Sequence, residues 1–156
     1  DGKQKIIITQ NDIRAIQLAK AALYAGAKLL MDKIGISAVD KIRFAGAFGS
    51  HIDVKYAMVL GLIPNCKISE VTSAGNAAST GARIALLDSE SRQEIETAVK
   101  QIEKIETATE PLFQDYFVKA MSIPHESDDF SELKKIFKFP EKNNVEIRSK
   151  RKRRRT

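Results

Sequence analysis

Two short loops of small residues carry the clearest potential for chemistry. The first, Ala45-Gly46-Ala47-Phe48-Gly49-Ser50, ends an apolar run that begins at Ile42. The second, Ser73-Ala74-Gly75-Asn76, opens an alanine-rich segment with helical spacing. Glycine lets a backbone approach a ligand closely, and the N–H groups at a helix start favour anions. The pair therefore suggests a nucleotide cradle, although tight strand-to-helix turns without a ligand fit the same pattern.

Neither loop matches a standard phosphate-binding motif, since the chain contains neither G-x-G-x-x-G nor G-x-x-x-x-G-K-[ST]. Phe48 could pack beside a base. Lys20 lies on the first predicted helix, where its side chain either lines the nucleotide cleft or only extends from a packed surface to solvent. The candidate cofactor-binding residues are Gly46, Ala47, Phe48, Gly49 and Ser50, then Gly75 and Asn76, and lastly Gln17 and Lys20. No catalytic residue or metal ligand is assigned.

The elements that must position these loops alternate between strands and helices. Thr9 and Asp12 form a helix-capping pattern, and we expect a helix over residues 10–34. Apolar residues cover most of that helix, which predicts burial between layers, except for a polar strip of Arg14, Gln17, Lys20, Tyr24 and Lys28. The next predicted elements are a strand over 42–45, a helix over 53–60, a strand over 67–71 and a helix over 76–87, inside which Gly81 hints at close packing.

The remaining segments give weaker patterns. Residues 3–9 and 104–109 are β-rich, whereas helical spacing covers 89–102, a segment that starts near Pro111, and 130–137. His125 falls in a loop between the last two helices, and we expect it on the surface. The alternation of strands and helices with short connections indicates an α/β domain whose ligand lies at the carboxyl ends of its strands.

Composition limits the class of protein. With 156 residues, 43% of them hydrophobic and 29% charged, the chain has the length and composition of one globular domain. No apolar run approaches the roughly 20 residues of a membrane-spanning helix, and no signal-peptide pattern opens the chain, so we expect a cytoplasmic protein. Cys66 is the single cysteine, which excludes an internal disulfide or a thiolate cluster within these residues.

The net charge of +6 is concentrated at the carboxyl end. Residues 142–156 contain eight Lys/Arg and one Glu, so residues 1–141 carry a net charge of −1. A solvated, disordered tail over 140–156 explains this run best; incidental anion binding or specific nucleic-acid recognition by the tail are the alternatives. Since the chain begins at Asp1, we also expect it to be a piece of a longer protein.

Four segments in order resemble the carboxyl-terminal part of the reductive activators of corrinoid proteins: residues 8–30, IRFAGAFGSHID (42–53), GLIP (61–64) and GNAASTGARIALL (75–87). These activators are iron–sulfur ATPases of the superfamily that includes sugar kinases, actin and the heat-shock chaperone ATPases. The resemblance implies that residues 1–139 form most of the second lobe of a ribonuclease-H-like, actin-like ATPase, with several flanking helices. Residues 45–50 match the superfamily's adenosine motif, except that Ala47 stands where a second glycine is usual.

The same resemblance implies a function for the parent protein. ATP hydrolysis would drive an electron from an iron–sulfur domain to a Co(II) corrinoid, restoring Co(I), with a corrinoid protein of a methyltransferase system as partner. The magnesium-binding loops and the cluster would lie outside this chain, so the isolated chain is expected not to hydrolyse ATP. An alternative is a non-enzymatic lobe that docks the corrinoid partner or a second copy in a homodimer.

Overall fold

A long amino-terminal helix, α1 (Gln10–Lys33), organises the domain. The computed structural model describes residues 2, 5–123 and 125–139; the predicted tail over 140–156 lies outside these residues. The predicted capping box is confirmed: the backbone N–H of Thr9 donates to Asp12 over 2.8 Å, and the Asp12 N–H donates to the Thr9 hydroxyl over 3.3 Å. Both bonds satisfy donors that a helix start leaves free, so α1 begins where the sequence predicts.

A small parallel sheet lies after α1. Strand β1 (Ile42–Phe44) pairs with β2 (Val71–Ser73), with Ile42 opposite Val71 and Phe44 opposite Ser73. The prediction of a strand over 67–71 was therefore wrong in position. The Glu70 N–H donates to the Lys67 carbonyl over 2.9 Å, which closes a 3-10 turn (Ile68–Glu70), and the chain becomes extended only from Val71 onward.

Five further helices complete the described part of the chain. Asp53 caps α2 by accepting from the Tyr56 N–H over 3.1 Å, and Gly61 ends it in the left-handed conformation at φ 72°. Short 3-10 turns cover Phe48–Ser50 and Thr107–Thr109. The helices are α2 (Val54–Leu60), α3 (Ala77–Leu87), α4 (Ser89–Val99), α5 (Phe113–Ala120) and α6 (Ser131–Lys134).

The core lies where α1 meets α5, α2 and α6. Its buried side chains come from all four helices and from the segment between α2 and β2; they include Ala21, Tyr24, Ala57, Met58, Ile63, Cys66, Ala120 and Leu133. The domain is thus mostly helical around a two-stranded parallel sheet. This architecture agrees with the predicted partial actin-like lobe with flanking helices.

The burial of α1 corrects the sequence prediction. Lys20 and Tyr24, assigned to the polar strip, are 0% and 3% exposed, because α5 and the loop after it cover that face. The apolar side expected to be buried is buried only in part: Ala25 is 0% and Leu29 is 3% exposed, whereas Leu23 is 61% and Leu30 is 54% exposed. Within the described residues, α1 therefore packs through Lys20 and Tyr24 together with part of its apolar side, and it leaves Leu23 and Leu30 uncovered.

Three smaller expectations also fail. Residues 5–9 contain no strand, because no described strand lies beside them to pair with the exposed Ile6, Ile7 and Ile8. The segment 104–109 forms the 3-10 turn that closes when Thr109 N–H donates to the Glu106 carbonyl over 3.1 Å. A Cβ at Gly81 would meet nothing within 4 Å, so no close neighbour explains that glycine. No helix of the described chain is both long and apolar enough to cross a bilayer.

Candidate functional site

The two glycine loops lie side by side at one edge of the sheet. The first loop continues from β1 and the second from β2, and the strands are parallel. The Gly46 N–H donates to the Gly75 carbonyl over 2.8 Å, and the Ala74 N–H donates to the Phe44 carbonyl over 2.7 Å. These bonds extend the ladder past the strand ends and place both loops at the carboxyl edge, where open α/β sheets bind their ligands.

Gly46 and Gly75 are glycines for conformational reasons. Their φ angles are 107° and 63°, in the region that side chains disfavour. A Cβ built at either position would meet no atom within 4 Å outside its chain neighbours. The backbone at both positions therefore borders open space and can be approached by a ligand.

Gly49 has a different role in the same turn. It is buried, and a Cβ there would lie 2.7 Å from the Cβ of Phe44. The turn Phe48–Ser50 closes as the Ser50 N–H donates to the Ala47 carbonyl over 3.2 Å. Gly49 thus lets the turn fold back on β1, which orients the exposed backbone of residues 46–47.

A hydroxyl contact joins the two loops, and local bonds order the second one. The Ser50 and Ser73 hydroxyl oxygens are 3.5 Å apart, and the Gly75 N–H donates to the Ser73 hydroxyl over 3.2 Å. Asn76 accepts from the Ser79 N–H over 3.1 Å and caps α3. The start of an 11-residue helix, with its partial positive charge, therefore lies directly after Gly75.

Gln17 and Lys20 lie elsewhere in the contact network. The Gln17 amide donates to the Met121 carbonyl over 3.1 Å, and the Lys20 ammonium donates to the carbonyls of Ala120 and, over 2.7 Å, Ser122. Both side chains thus hold the carboxyl end of α5. Burial lowers the pKa of Lys20 to about 8. The structure brings residues 46–50, 75 and 76 together and places Gln17 and Lys20 against α5.

The structure also reveals groups that sequence reasoning missed. Ser73 bridges the loops, and only its position at the start of the second loop could have signalled this role. His125, expected on the surface, is 9% exposed and packs 4.6 Å from the Tyr24 ring. Its Nδ1 accepts from the N–H groups of Ser127 and Asp128 over 3.3 and 3.1 Å, and burial lowers its pKa. No spacing in the sequence indicates this arrangement.

Residues 1–134 match the family model described as the C-terminal domain of RACo, the ASKHA domain. The chain belongs to this family. This ASKHA domain is 44% identical over 120 residues to the corrinoid activation enzyme RamQ of Eubacterium limosum, and the match covers 76% of the chain.

A solved structure supports the same assignment. The ASKHA domain matches a reductive activator for a corrinoid, iron–sulfur protein with a TM-score of 0.71 and 31% sequence identity over 80% of the chain. In both matches, the chain spans 20% of the length of the relative. The predicted family and fold are confirmed.

Metal ligands are sparse in this part of the protein. Among residues 2, 5–123 and 125–139, no group of three or more His, Cys, Asp or Glu side chains is arranged to hold a metal ion. Cys66 is buried, and burial raises the pKa of its thiol. The described residues do not fit an iron–sulfur cluster, whereas the backbone of the two loops at Gly46 and Gly75 borders open space.

Proposed function

We propose that this ASKHA domain supplies the adenosine side of a nucleotide cleft in a longer protein that reactivates a corrinoid protein with ATP. The Gly46–Gly75 hydrogen bond carries the proposal, because it joins two open loops at the carboxyl edge of a parallel sheet. Gly46, Ala47, Phe48, Gly49 and Ser50 form the main contact, and Gly75 and Asn76 form the second. Gln17 and Lys20 contribute by fixing α5 against α1.

The loops suit a nucleoside better than a triphosphate. Two left-handed glycines expose backbone that a flat or sugar-like group can approach, and the partial positive charge at the start of α3 favours an anion nearby. The chain has no G-x-x-x-x-G-K-[ST] segment to hold the phosphates. We therefore assign the phosphate- and magnesium-binding groups, and the iron–sulfur cluster, to parts of the protein outside these residues.

The reaction is a one-electron reduction of the partner's cobalt. An iron–sulfur domain outside these residues would supply the electron that reduces Co(II) of the bound corrinoid to Co(I), in the cytoplasm. ATP assists only if it binds one conformation of the protein more tightly than another, since a ligand shifts an equilibrium by its differential affinity. The two loops follow β1 and β2, and the second loop precedes α3. A difference in ATP affinity between two conformations would therefore act directly on these three elements.

Matched glycine substitutions in the longer protein test the proposal. Gly75 and Gly35 have φ angles of 63° and 72°, and a Cβ at either meets no atom within 4 Å. Gly75→Val and Gly35→Val therefore introduce the same backbone strain, but only the first alters a proposed contact. We expect Gly46→Val and Gly75→Val to weaken ATP binding, measured by titration calorimetry, by about 100-fold, or about 2.7 kcal/mol. Gly35→Val should bind ATP like the unsubstituted protein.

Unchanged ATP affinity in both loop variants would contradict the nucleotide assignment. It would favour the alternative of an interaction lobe that docks the corrinoid partner or a second copy. Exposed Leu86 and Leu87 on α3 and Val99 on α4 support that alternative. It predicts that Leu86→Asp abolishes complex formation with the corrinoid protein in gel filtration, while Gly46→Val leaves the complex intact.

A further inference from the structure

A cavity of about 160 Å³ lies between α1, α5 and the loop after α5. Lys28 of α1 and Lys119 of α5 line it, and we call it the polar cavity. Every residue of its wall carries a polar group: two lysines, two tyrosines, a histidine, a serine and an aspartate. A cavity of this size and polarity has room for several water molecules or for one small polar ion.

The two lysines bring positive charge to the polar cavity from neighbouring helices. Lys28 is partly buried and Lys119 is exposed. Neither side chain forms an ion pair with a carboxylate of the described residues. Like charges on the wall of one small cavity repel each other, so an anion that binds between them lowers the electrostatic energy.

The aspartate of the wall compensates only one of these two charges. Asp128 accepts a hydrogen bond from the Tyr24 hydroxyl. The other tyrosine of the wall, Tyr116, donates to Asp32, which does not line the cavity. Burial lowers the pKa of His125, so this ring is neutral at pH 7. The lining side chains of the polar cavity therefore keep an excess of one positive charge.

His125 adds a buried donor without an acceptor. Its Nδ1 accepts from the N–H groups of Ser127 and Asp128, so the proton of the neutral ring lies on Nε2. Nε2 is buried and has no hydrogen-bond partner among the described residues. Buried donors in folded proteins nearly always have a partner. This nitrogen therefore indicates that an acceptor is missing beside the His125 ring.

We propose that the polar cavity binds a small oxyanion, a phosphate or carboxylate group held between Lys28 and Lys119. Ammonium groups bind such oxygens through charge-assisted hydrogen bonds, and the Ser127 hydroxyl is a further donor in the wall. The bound anion joins α1, α5 and the loop after α5, so it stabilises their packing. No residue of the two glycine loops lines the cavity, and the inference does not depend on the nucleotide assignment.

Amide exchange at Ser127 and Asp128 measures this binding locally. Both N–H groups are bonded to His125, so they exchange when the loop leaves α1, which also opens the cavity. An anion that binds only the closed loop slows this exchange, by about 10-fold at a concentration about ten times its Kd. Exchange is followed by mass spectrometry in the longer natural protein without nucleotide. Inorganic phosphate and acetate are the probes, and chloride is the reference salt at constant ionic strength.

Three lysine variants show where the anion binds. Lys28→Met and Lys119→Met each remove one charge and keep a long side chain. Loss of a charge-assisted hydrogen bond weakens affinity by at least about 10-fold, so the slowing at the same anion concentration falls to about 2-fold or less. Lys100→Met is the matched control, because Lys100 follows α4 and does not line the cavity. We expect this variant to retain the full effect of the anion.

The outcomes separate the oxyanion site from the alternatives. Slowing by phosphate alone assigns the site to phosphate groups, slowing by acetate alone assigns it to carboxylates, and both results support the proposal. It is overturned if neither probe slows exchange, if chloride slows it equally, or if Lys28→Met and Lys119→Met keep the full effect. Gly46→Val should leave the phosphate effect unchanged, so failure of this proposal is distinct from failure of the nucleotide assignment.

Discussion

Lys20 gives the most quantitative prediction, because it is a cation with no exposed surface. Its ammonium donates to the carbonyls of Ala120 and Ser122, and no carboxylate among the described residues bonds to it. Two carbonyl dipoles compensate only part of the cost of removing the charge from water. Burial accordingly lowers the pKa of Lys20 from 10.5 to about 8.

This shift fixes how stability depends on pH. Below pH 8, Lys20 is charged in both the folded and unfolded chains, and the full cost of burying the charge is present. Between pH 8 and 10.5 the folded chain releases the proton first, so the free energy of unfolding rises. The interval between the folded pKa of about 8 and the unfolded pKa of 10.5 corresponds to about 3 kcal/mol of unfolding free energy. A neutral amine still donates to both carbonyls, so deprotonation keeps the hydrogen bonds.

The assay isolates Lys20 from other groups that titrate in this range. Urea unfolding of the 156-residue chain and of Lys20→Met is followed by far-ultraviolet circular dichroism from pH 7 to 10.5. We expect the unfolding free energy of the unsubstituted chain to rise by about 3 kcal/mol relative to Lys20→Met over this range. Gln17→Met is the control, because it removes a neighbouring bond to the same end of α5 without a titrating group. The reasoning would be refuted if the difference in unfolding free energy between the unsubstituted chain and Lys20→Met changed by less than about 0.5 kcal/mol from pH 7 to 10.5.

Two further predictions concern stability. Burial lowers the pKa of His125, so the unfolded chain takes up the proton first as the pH falls through 6.5, and the melting temperature should fall with it. His125→Asn keeps an acceptor for the capped N–H groups, and its melting temperature should fall less between pH 7 and 5. Gly49→Ala should lower the unfolding free energy by about 1–3 kcal/mol because of the clash with Phe44. Gly81→Ala, with open space around the new Cβ, should raise the unfolding free energy by up to about 1 kcal/mol in urea unfolding. If Gly81→Ala were less stable than Gly49→Ala, the packing described around these two glycines would be contradicted.

Local signals were sufficient for the elements that position the loops. The capping box at Thr9 and Asp12 forms as predicted. The left-handed Gly61 after α2 and the Asn76 cap of α3 likewise depend on residues close in sequence. Strand β1 was also predictable, because an apolar run ended at Gly46. The position of β2 was not, since it depends on pairing with β1 across 29 positions in the register of Ile42 with Val71.

The polar strip of α1 shows why a periodic pattern did not reveal the burial. The helical period alone places Lys20 and Tyr24 on the face opposite the apolar side, and a prediction from that period leaves the polar face in contact with water. Tyr24 instead donates to Asp128, and Lys20 donates to the end of α5, in both cases about a hundred residues away. Only tertiary partners could reverse the assignment, and nothing local to α1 identifies them.

The two sides of α1 differ in what covers them within the described residues. Lys20 and Tyr24 are covered by α5 and the loop after it, and Leu29 is buried as well. Leu23 and Leu30 instead line an apolar groove beside β1. Strand β1 leads into the loop at Gly46, so the groove and the proposed nucleotide contact lie along the same strand. Because the phosphate-binding groups are assigned to parts of the protein outside these residues, the longer protein should bind ATP more tightly than the 156-residue chain.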